Sequence, residues 1–245
     1  MPEVPEPPFP PAPVAARLGV ARLGVAPPAV GPGVCATCRG PERRGRPECW
    51  ACRHVGSVLA GAGHVGAAPL VVPIALFATG DGLHRVLRGY KDAPVADARR
   101  HFAIRLTAHV ASFFAVHQRC LLEAAATPWD ALAVVPSSTR GVDATSHPFT
   151  RVVGAVPSLS CVPSVVLVGR ERRPGRSGHL HPDPGAFRVD GDLGGRKVLL
   201  LDDTWVTGSR ARSATAAVEA AGARWWPGGR SSPAPLPRWP GGGRG

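Results

Sequence analysis

Apolar and polar residues alternate through the middle of the chain in a way that predicts strands separated by helices. Residues 69–77 form an apolar, β-branched run, PLVVPIALF, which predicts a strand with an irregularity at Pro73. Three further short apolar runs predict buried strands at 131–135, 164–168 and 197–201.

Apolar residues spaced three or four positions apart predict helices between these strands. A short amphipathic helix is indicated by Leu83, Val86, Leu87 and Tyr90. The same spacing predicts a long helix over about 95–126 and further helices over 149–159 and 209–221. Strands joined through helices run parallel, with the helices packed on the faces of the sheet. The predicted fold class is therefore α/β with a parallel sheet.

Both ends of the chain lack this periodicity. Residues 1–33 are rich in proline and repeat the pentapeptide ARLGV, and we expect a disordered leader, although the repeat could also be a docking element. Residues 224–245 form a basic, Trp-bearing tail where another strand is expected. This tail is interpreted as disordered, with stacking on single-stranded nucleic acid as the alternative. Between the ends we predict a small module at 34–56 and a larger domain at 66–223.

Charge and composition narrow the range of partners. The chain has 29 basic and 17 acidic residues, for a net charge of +12, which favours an anionic partner such as nucleic acid or a phosphorylated metabolite. Lys91 and Lys197 are its only lysines, and the skew towards Arg, Ala, Gly and Pro resembles a GC-rich coding sequence, so single arginines carry little weight. No apolar run reaches the ~20 residues of a membrane span, and the N-terminus lacks a secretory signal, so we expect a cytoplasmic protein.

Four cysteines at 34–56 have the spacing of a metal site. They form two Cys-x2-Cys pairs, and the predicted ligands are Cys35, Cys38, Cys49 and Cys52. Two such pairs complete a closed tetrahedral site, which predicts one structural Zn²⁺ in a zinc-ribbon-like module. Scattered reduced thiols and a redox pair are the alternatives, although a redox motif usually begins a helix in a thioredoxin-like unit.

The segment VLLLDDTWVTGSR, residues 198–210, carries the candidate chemistry of the larger domain. Four apolar residues predict a strand buried on both faces, and ligands bind at the carboxyl end of such strands. Asp202 and Asp203 stand at that end as acceptors for a sugar diol. Residues 207–209 then turn into a helix whose free N–H groups suit a phosphate. The combination indicates a site for ribose 5-phosphate.

This segment resembles the signature of the phosphoribosyltransferases, which is an apolar strand, two acids, a short variable stretch and Thr-Gly-small-Thr. The arrangement of the chain is similar to the competence protein F group, which joins a four-cysteine zinc module to a phosphoribosyltransferase domain. A Tyr-Lys segment between the two is here residues 89–92. The resemblance covers residues 34 to about 223 and implies a type I phosphoribosyltransferase fold.

The resemblance also implies roles for single residues. Asp202 and Asp203 would be the catalytic acids that hold the ribose hydroxyls of phosphoribosyl pyrophosphate. The residues implied to hold its 5-phosphate are Val206, Thr207, Gly208, Ser209 and Arg210. The loop after the strand at 131–135 would bind the diphosphate through Ser137, Ser138 and Arg140, unless it is only an exposed turn. The sequence departs from the family at Arg210, where a Thr is usual, and at Trp205, which is bulky.

Two functions remain open. The first is an enzyme that transfers phosphoribose to an unknown nucleophile, with Mg²⁺ bridging diphosphate and sugar oxygens. An Arg-rich loop at 170–184 would then close over the leaving group. The second is a non-catalytic competence-type protein that binds or handles single-stranded DNA.

Overall fold

The computed structural model describes residues 23–64, 70–125, 128–136, 147–169 and 180–223. The expectations for residues 1–22 and for the tail at 224–245 lie outside these ranges. Part of the predicted leader is described, and its Leu23 is buried in the main hydrophobic cluster of the protein.

Five helices are described, and four of them were predicted. In chain order they are α1 (Trp50–Gly61), α2 (Gly82–Asp92), α3 (Ala96–Ala125), α4 (Pro148–Gly154) and α5 (Ser209–Ala220). Asp81 caps α2 by accepting a hydrogen bond from the N–H of His84 at 2.8 Å. Within the described residues, no helix combines the length and the apolar character needed to cross a membrane.

A small parallel sheet lies at the centre of the larger domain. Its strands are β1 (Ala131–Val134), β2 (Ser164–Val165) and β5 (Val198–Leu201), and they pair in the order β2-β1-β5. A separate antiparallel pair joins β3 (Leu167–Gly169) to β4 (Phe187–Val189). The predicted α/β class with a parallel sheet is confirmed, whereas the antiparallel pair was not expected.

The predicted strand at 69–77 is wrong for its described residues. The chain there forms only one isolated bridge, in which Val25 and Leu76 exchange two N–H···O hydrogen bonds of 2.7 Å. Pro73 has no N–H to donate to a ladder. Apolar side chains of this stretch nevertheless pack against the main cluster. The apolar run therefore reflects burial and not pairing in a sheet.

Two other predicted elements differ in extent. The apolar run at 164–168 divides between β2 and β3, which belong to different sheets. The helix expected over 149–159 ends at Gly154 and continues as turns. Leu167 in the first segment, and Phe149, Val152, Val153, Val156 and Leu159 in the second, are buried although the backbone changes its hydrogen bonding.

The parallel sheet separates two hydrophobic clusters. Leu132 and Val134 of β1 point into a cluster built with α2, α3 and α4. Ala133 and Val135 point to the opposite face, into a cluster with α5 and β4. This alternation follows from the two-residue period of a strand. The carboxyl ends of β1 and β5 thus meet at one edge, between helices on both faces.

Candidate functional site

The two acids that follow β5 lie at the carboxyl edge of the sheet. Asp203 has a side chain only 8% exposed, and it is already paired with two groups from α2. The hydroxyl of Tyr90 donates a hydrogen bond to its Oδ2, and Nζ of Lys91 forms an ion pair with the same oxygen. The Tyr-Lys segment therefore fixes one of the two carboxylates.

Asp202 is in a different electrostatic environment. Burial of its carboxyl group, and secondly the neighbouring charge of Asp203, raise its pKa to about 7. The positive charges of Arg210 and Lys91 act in the opposite direction. A carboxyl group with this pKa is divided between its charged and neutral forms near pH 7, which is a property common at functional sites.

The predicted phosphate turn has the expected backbone. Gly208 has φ 77°, in the left-handed region that favours glycine, and α5 begins at the next residue. The N–H of Ser209 faces Oγ1 of Thr207 at 3.4 Å, a long hydrogen bond. Val206 is 65% exposed at the tip of the connection. The turn thus presents the amino end of a helix beside the two carboxylates.

Arg210 connects this turn to the neighbouring strand. Its Nη2 donates a hydrogen bond to the carbonyl oxygen of Pro136, two residues after β1. This bond links the chain segments that follow β1 and β5. Ser137, Ser138 and Arg140, and the Arg-rich loop up to residue 179, lie outside the described residues.

Several residues at this edge were not predicted as site residues. Tyr90 and Lys91 were noted only as a family segment, and Trp205 only as bulky. The ring of Trp205 lies against Gly208, and its Cε2 atom is 2.6 Å from the position that a Cβ at residue 208 would occupy. Burial is the main cause that lowers the pKa of His147. The charges of Asp203 and Lys91 also affect this pKa, which indicates that His147 lies near the same edge of the sheet. Of these residues, only Tyr90 and Lys91 lie in a sequence motif that could have indicated their place at the site.

The four cysteines converge, as their spacing predicted. The Sγ atoms of Cys35, Cys38, Cys49 and Cys52 all lie within 4.8 Å of one another. Cys38 and Cys49 have their sulfurs 3.9 Å apart, close to the ~3.8 Å edge of a tetrahedron with Zn–S bonds of about 2.3 Å. The cluster fits a metal such as zinc. Among the described residues it is the only group of three or more His, Cys, Asp or Glu side chains with this convergence.

The thiols affect one another's ionisation. The hydrogen bond between Cys38 and Cys52 has opposite effects on its two thiols. It is the main cause that lowers the pKa of Cys38 to about 5, and it is also the main cause that raises the pKa of Cys52. Burial raises the pKa of Cys49. Because the pKa values of Cys49 and Cys52 are raised, a metal that binds all four cysteines as thiolates must release protons. Arg39, only 5% exposed, is the buried cation whose charge interacts with Cys35.

The second Cys-x2-Cys pair lies at the start of a helix. Cys49 precedes α1 and Cys52 lies in its first turn. No thioredoxin-like βαβ unit surrounds it in the described part of the chain, since the described strands all begin at Ala131 or later. The convergence of the second Cys-x2-Cys pair also favours a metal site over a redox pair.

The cysteine module contacts the larger domain through α5. Arg212, only 6% exposed, places Nη2 3.8 Å from Oε1 of Glu48. Its guanidinium also lies against Gly56 of α1, because a Cβ there would be 2.8 Å from Nη1. The helix that begins at Ser209 therefore also contacts the cysteine module.

Comparison with known proteins identifies no relative: no family model, no curated protein and no solved structure matches this chain. The assignment to the phosphoribosyltransferases is therefore a proposal based on the residues themselves.

Proposed function

We propose that the carboxyl edge of the sheet binds phosphoribosyl pyrophosphate with Mg²⁺, and that the protein transfers phosphoribose from it to a nucleophile. One observation carries this proposal. Two acidic residues and a left-handed glycine turn lie within seven residues of one another, at the carboxyl end of a parallel strand and the amino end of a helix. Carboxylates suit the ribose diol and helix N–H groups suit the 5-phosphate.

The two acids would act differently. Asp202 has no ion pair of its own within 4 Å among the described residues and would accept hydrogen bonds from ribose hydroxyls. Asp203 is held by Tyr90 and Lys91, so it would position Lys91 and set the negative charge of the edge. Ligand binding at Asp202 would favour its charged form, because a hydroxyl donor stabilises a carboxylate.

Magnesium would depend largely on the ligand. The described residues offer two adjacent carboxylates here and no converging third ligand, which fits a cation that usually takes one or two carboxylates together with substrate phosphates. When bound, Mg²⁺ would neutralise the diphosphate that leaves from the anomeric carbon. The protein's own contribution is to hold the sugar and its phosphate in place.

Calorimetric titration with phosphoribosyl pyrophosphate and Mg²⁺ tests the proposal. We expect Mg²⁺-dependent binding by the wild type and about tenfold weaker binding by Asp202→Asn, which loses a charged acceptor. Asp203→Asn is a poorer test because it would leave Lys91 without its partner. Asp97→Asn, an exposed change on α3, is the matched control and should bind as the wild type does. Absence of binding at millimolar ligand would contradict the proposal.

A second candidate function is supported by the surface of the cysteine module. Trp50 is 51% exposed and stacks on His54, with ring centroids 4.9 Å apart. Arg43, Arg44 and Arg46 are exposed in the same module. An exposed aromatic ring and exposed arginines in one module suit single-stranded DNA. Two results together would favour this non-catalytic function. The protein should bind single-stranded DNA in a salt-dependent way that Trp50→Ala weakens, and it should release no pyrophosphate from phosphoribosyl pyrophosphate.

A further inference from the structure

An unpaired hydrogen-bond donor lies beside the phosphate turn. Nε1 of Trp205 is buried and has no hydrogen-bond partner among the described residues. Buried polar groups in folded proteins are almost always paired, and an exception calls for an explanation. An indole N–H can only donate, so its missing partner must be an acceptor.

The position of this donor is fixed by the ring. Cε2 of Trp205, which is covalently bonded to Nε1, lies 2.6 Å from the place that a Cβ of residue 208 would take. The N–H therefore lies at the same side of Gly208 as the ring itself. Gly208 is the residue that precedes α5, so the ring that carries this donor packs at the amino end of the helix.

A second unpaired donor belongs to the residue on the other side of the turn. Nε of Arg210 is buried and also lacks a hydrogen-bond partner in the described part of the chain. Its Nη2 is used by the carbonyl oxygen of Pro136, which anchors the guanidinium at this edge. Two buried donors with no acceptor thus flank Gly208 in the sequence, one of them cationic. Both groups can only donate, so each needs an acceptor oxygen, and the positive charge of Arg210 favours an anionic one.

We propose that Trp205 is a ligand-binding residue, whose Nε1–H donates to an oxygen of a phosphate group bound at the turn, next to Arg210. The inference rests on the proposed function and adds to it a donor that the motif does not contain. It also explains a bulky side chain in the variable stretch: the ring covers one side of Gly208, and its N–H replaces the hydroxyl that the sequence lacks at position 210.

The indole N–H signals in a ¹⁵N-correlated NMR spectrum test this directly. The chain has six tryptophans, and the signal absent from Trp205→Phe identifies the residue. Ribose 5-phosphate and inorganic phosphate should both shift this signal, whereas ribose should not. A shift with the sugar phosphate alone would indicate that the donor needs the whole ligand, and a signal unchanged by either phosphate would overturn the inference.

Affinity gives the second readout. Trp205→Phe keeps a ring over Gly208 and removes the donor, so it should bind phosphoribosyl pyrophosphate about tenfold more weakly. Trp129→Phe makes the same change just before the amino end of β1, away from the carboxyl edge of the sheet, and should leave the affinity unchanged. Equal binding by Trp205→Phe and the wild type would overturn the inference and leave the proposed function intact. Tighter binding by Trp205→Ala would overturn it too, because the ring would then be an obstacle. A wild type that binds no phosphoribosyl ligand would refute both.

Discussion

The hydroxyl of Tyr90 donates a hydrogen bond to Oδ2 of Asp203, which is 113 residues away in the sequence. This contact joins the end of α2 to the carboxyl edge of the sheet. Tyr90 is only 2% exposed, and Lys91 approaches the same oxygen. The Tyr-Lys segment and the acid pair, which the sequence shows as separate motifs, are therefore one structural unit.

The ionisation of Tyr90 provides a first prediction. Burial, followed by the negative charge of Asp203, raises the pKa of its phenol far above the ordinary value. It is the only tyrosine in the chain, so ultraviolet absorbance reports on it alone. We expect no tyrosinate signal in the folded protein as the pH rises past about 10, and ordinary titration near that pH in denaturant. Titration near pH 10 without unfolding would show that the phenol is exposed.

The pKa of Asp202 predicts how stability depends on pH. The folded state keeps a proton on Asp202 up to about pH 7, whereas the unfolded chain releases it near pH 4. Between these values the folded state binds more protons, so its stability falls as the pH rises. Asn carries no such proton, and Asp202→Asn should gain stability relative to the wild type across this window, by about 1–3 kcal/mol at its upper end.

Chemical denaturation at a series of pH values measures this difference. Asp97→Asn, at an exposed position in the first turn of α3, removes a charge that stabilises the helix end, so it should differ from the wild type by less than about 1 kcal/mol and in the opposite direction. The quantity to compare is the difference in unfolding free energy between Asp202→Asn and the wild type. The contributions of other titrating groups are the same in both proteins and cancel in this difference. A difference that does not change between pH 4 and 8 would contradict the raised pKa. A variant that is more stable yet binds ligand more weakly would show that Asp202 serves function at a cost in stability.

The cysteine cluster gives a third prediction, which concerns metal content and its structural reach. Freshly purified protein should contain one zinc per chain, and Cys49→Ser should lose it. The main hydrophobic cluster includes no residue of the module, so the larger domain should remain folded. Hydrogen exchange should become faster in α1, and also in α5 around Arg212, because Glu48 adjoins the cluster and pairs with that buried arginine.

Cys161→Ser is the matched control, since this cysteine is exposed and far from the cluster in the sequence. It should keep its zinc and the exchange rates of the wild type. Elemental analysis showing much less than one zinc in unchelated wild-type protein would refute the metal assignment. Faster exchange confined to α1 in Cys49→Ser would show that the module does not support α5.

The sequence predicted best what depends on local pattern. The spacing of apolar residues predicted α2, α3 and α5, and short apolar runs predicted β1 and β5. β1 is fully buried as expected, whereas the residues of β5 are only half-buried, contrary to the predicted burial on both faces. The prediction failed where side chains are buried but the backbone does not pair in a sheet. Residues 70–77 are apolar and pack against the main cluster, yet Pro73 cannot donate a backbone hydrogen bond and Leu76 forms only a single bridge. α1 was missed because cysteine spacing dominates its beginning.

The candidate site shows the same division. Asp202, Gly208 and the cysteines could be found from the sequence, because each lies in a motif of contiguous or regularly spaced residues. The partners of Asp203 could not, since Tyr90 and Lys91 reach it only through the packing of α2 on the sheet. The orientation of Trp205 depends on side-chain packing at the turn, which carries no periodic signal.

The last prediction separates two reasons for a glycine at position 208. Gly208→Ala should destabilise the protein both because φ is 77° and because the new Cβ would overlap the ring of Trp205. Gly80→Ala is a matched control: its φ is 91°, but a Cβ there meets nothing within 4 Å, so it measures the backbone cost alone, about 1 kcal/mol. We expect Gly208→Ala to cost more, by about 1–3 kcal/mol. Adding Trp205→Ala should recover much of that excess but none of the backbone cost. Equal effects of the two glycine substitutions in denaturant unfolding would mean that the indole ring does not lie on Gly208.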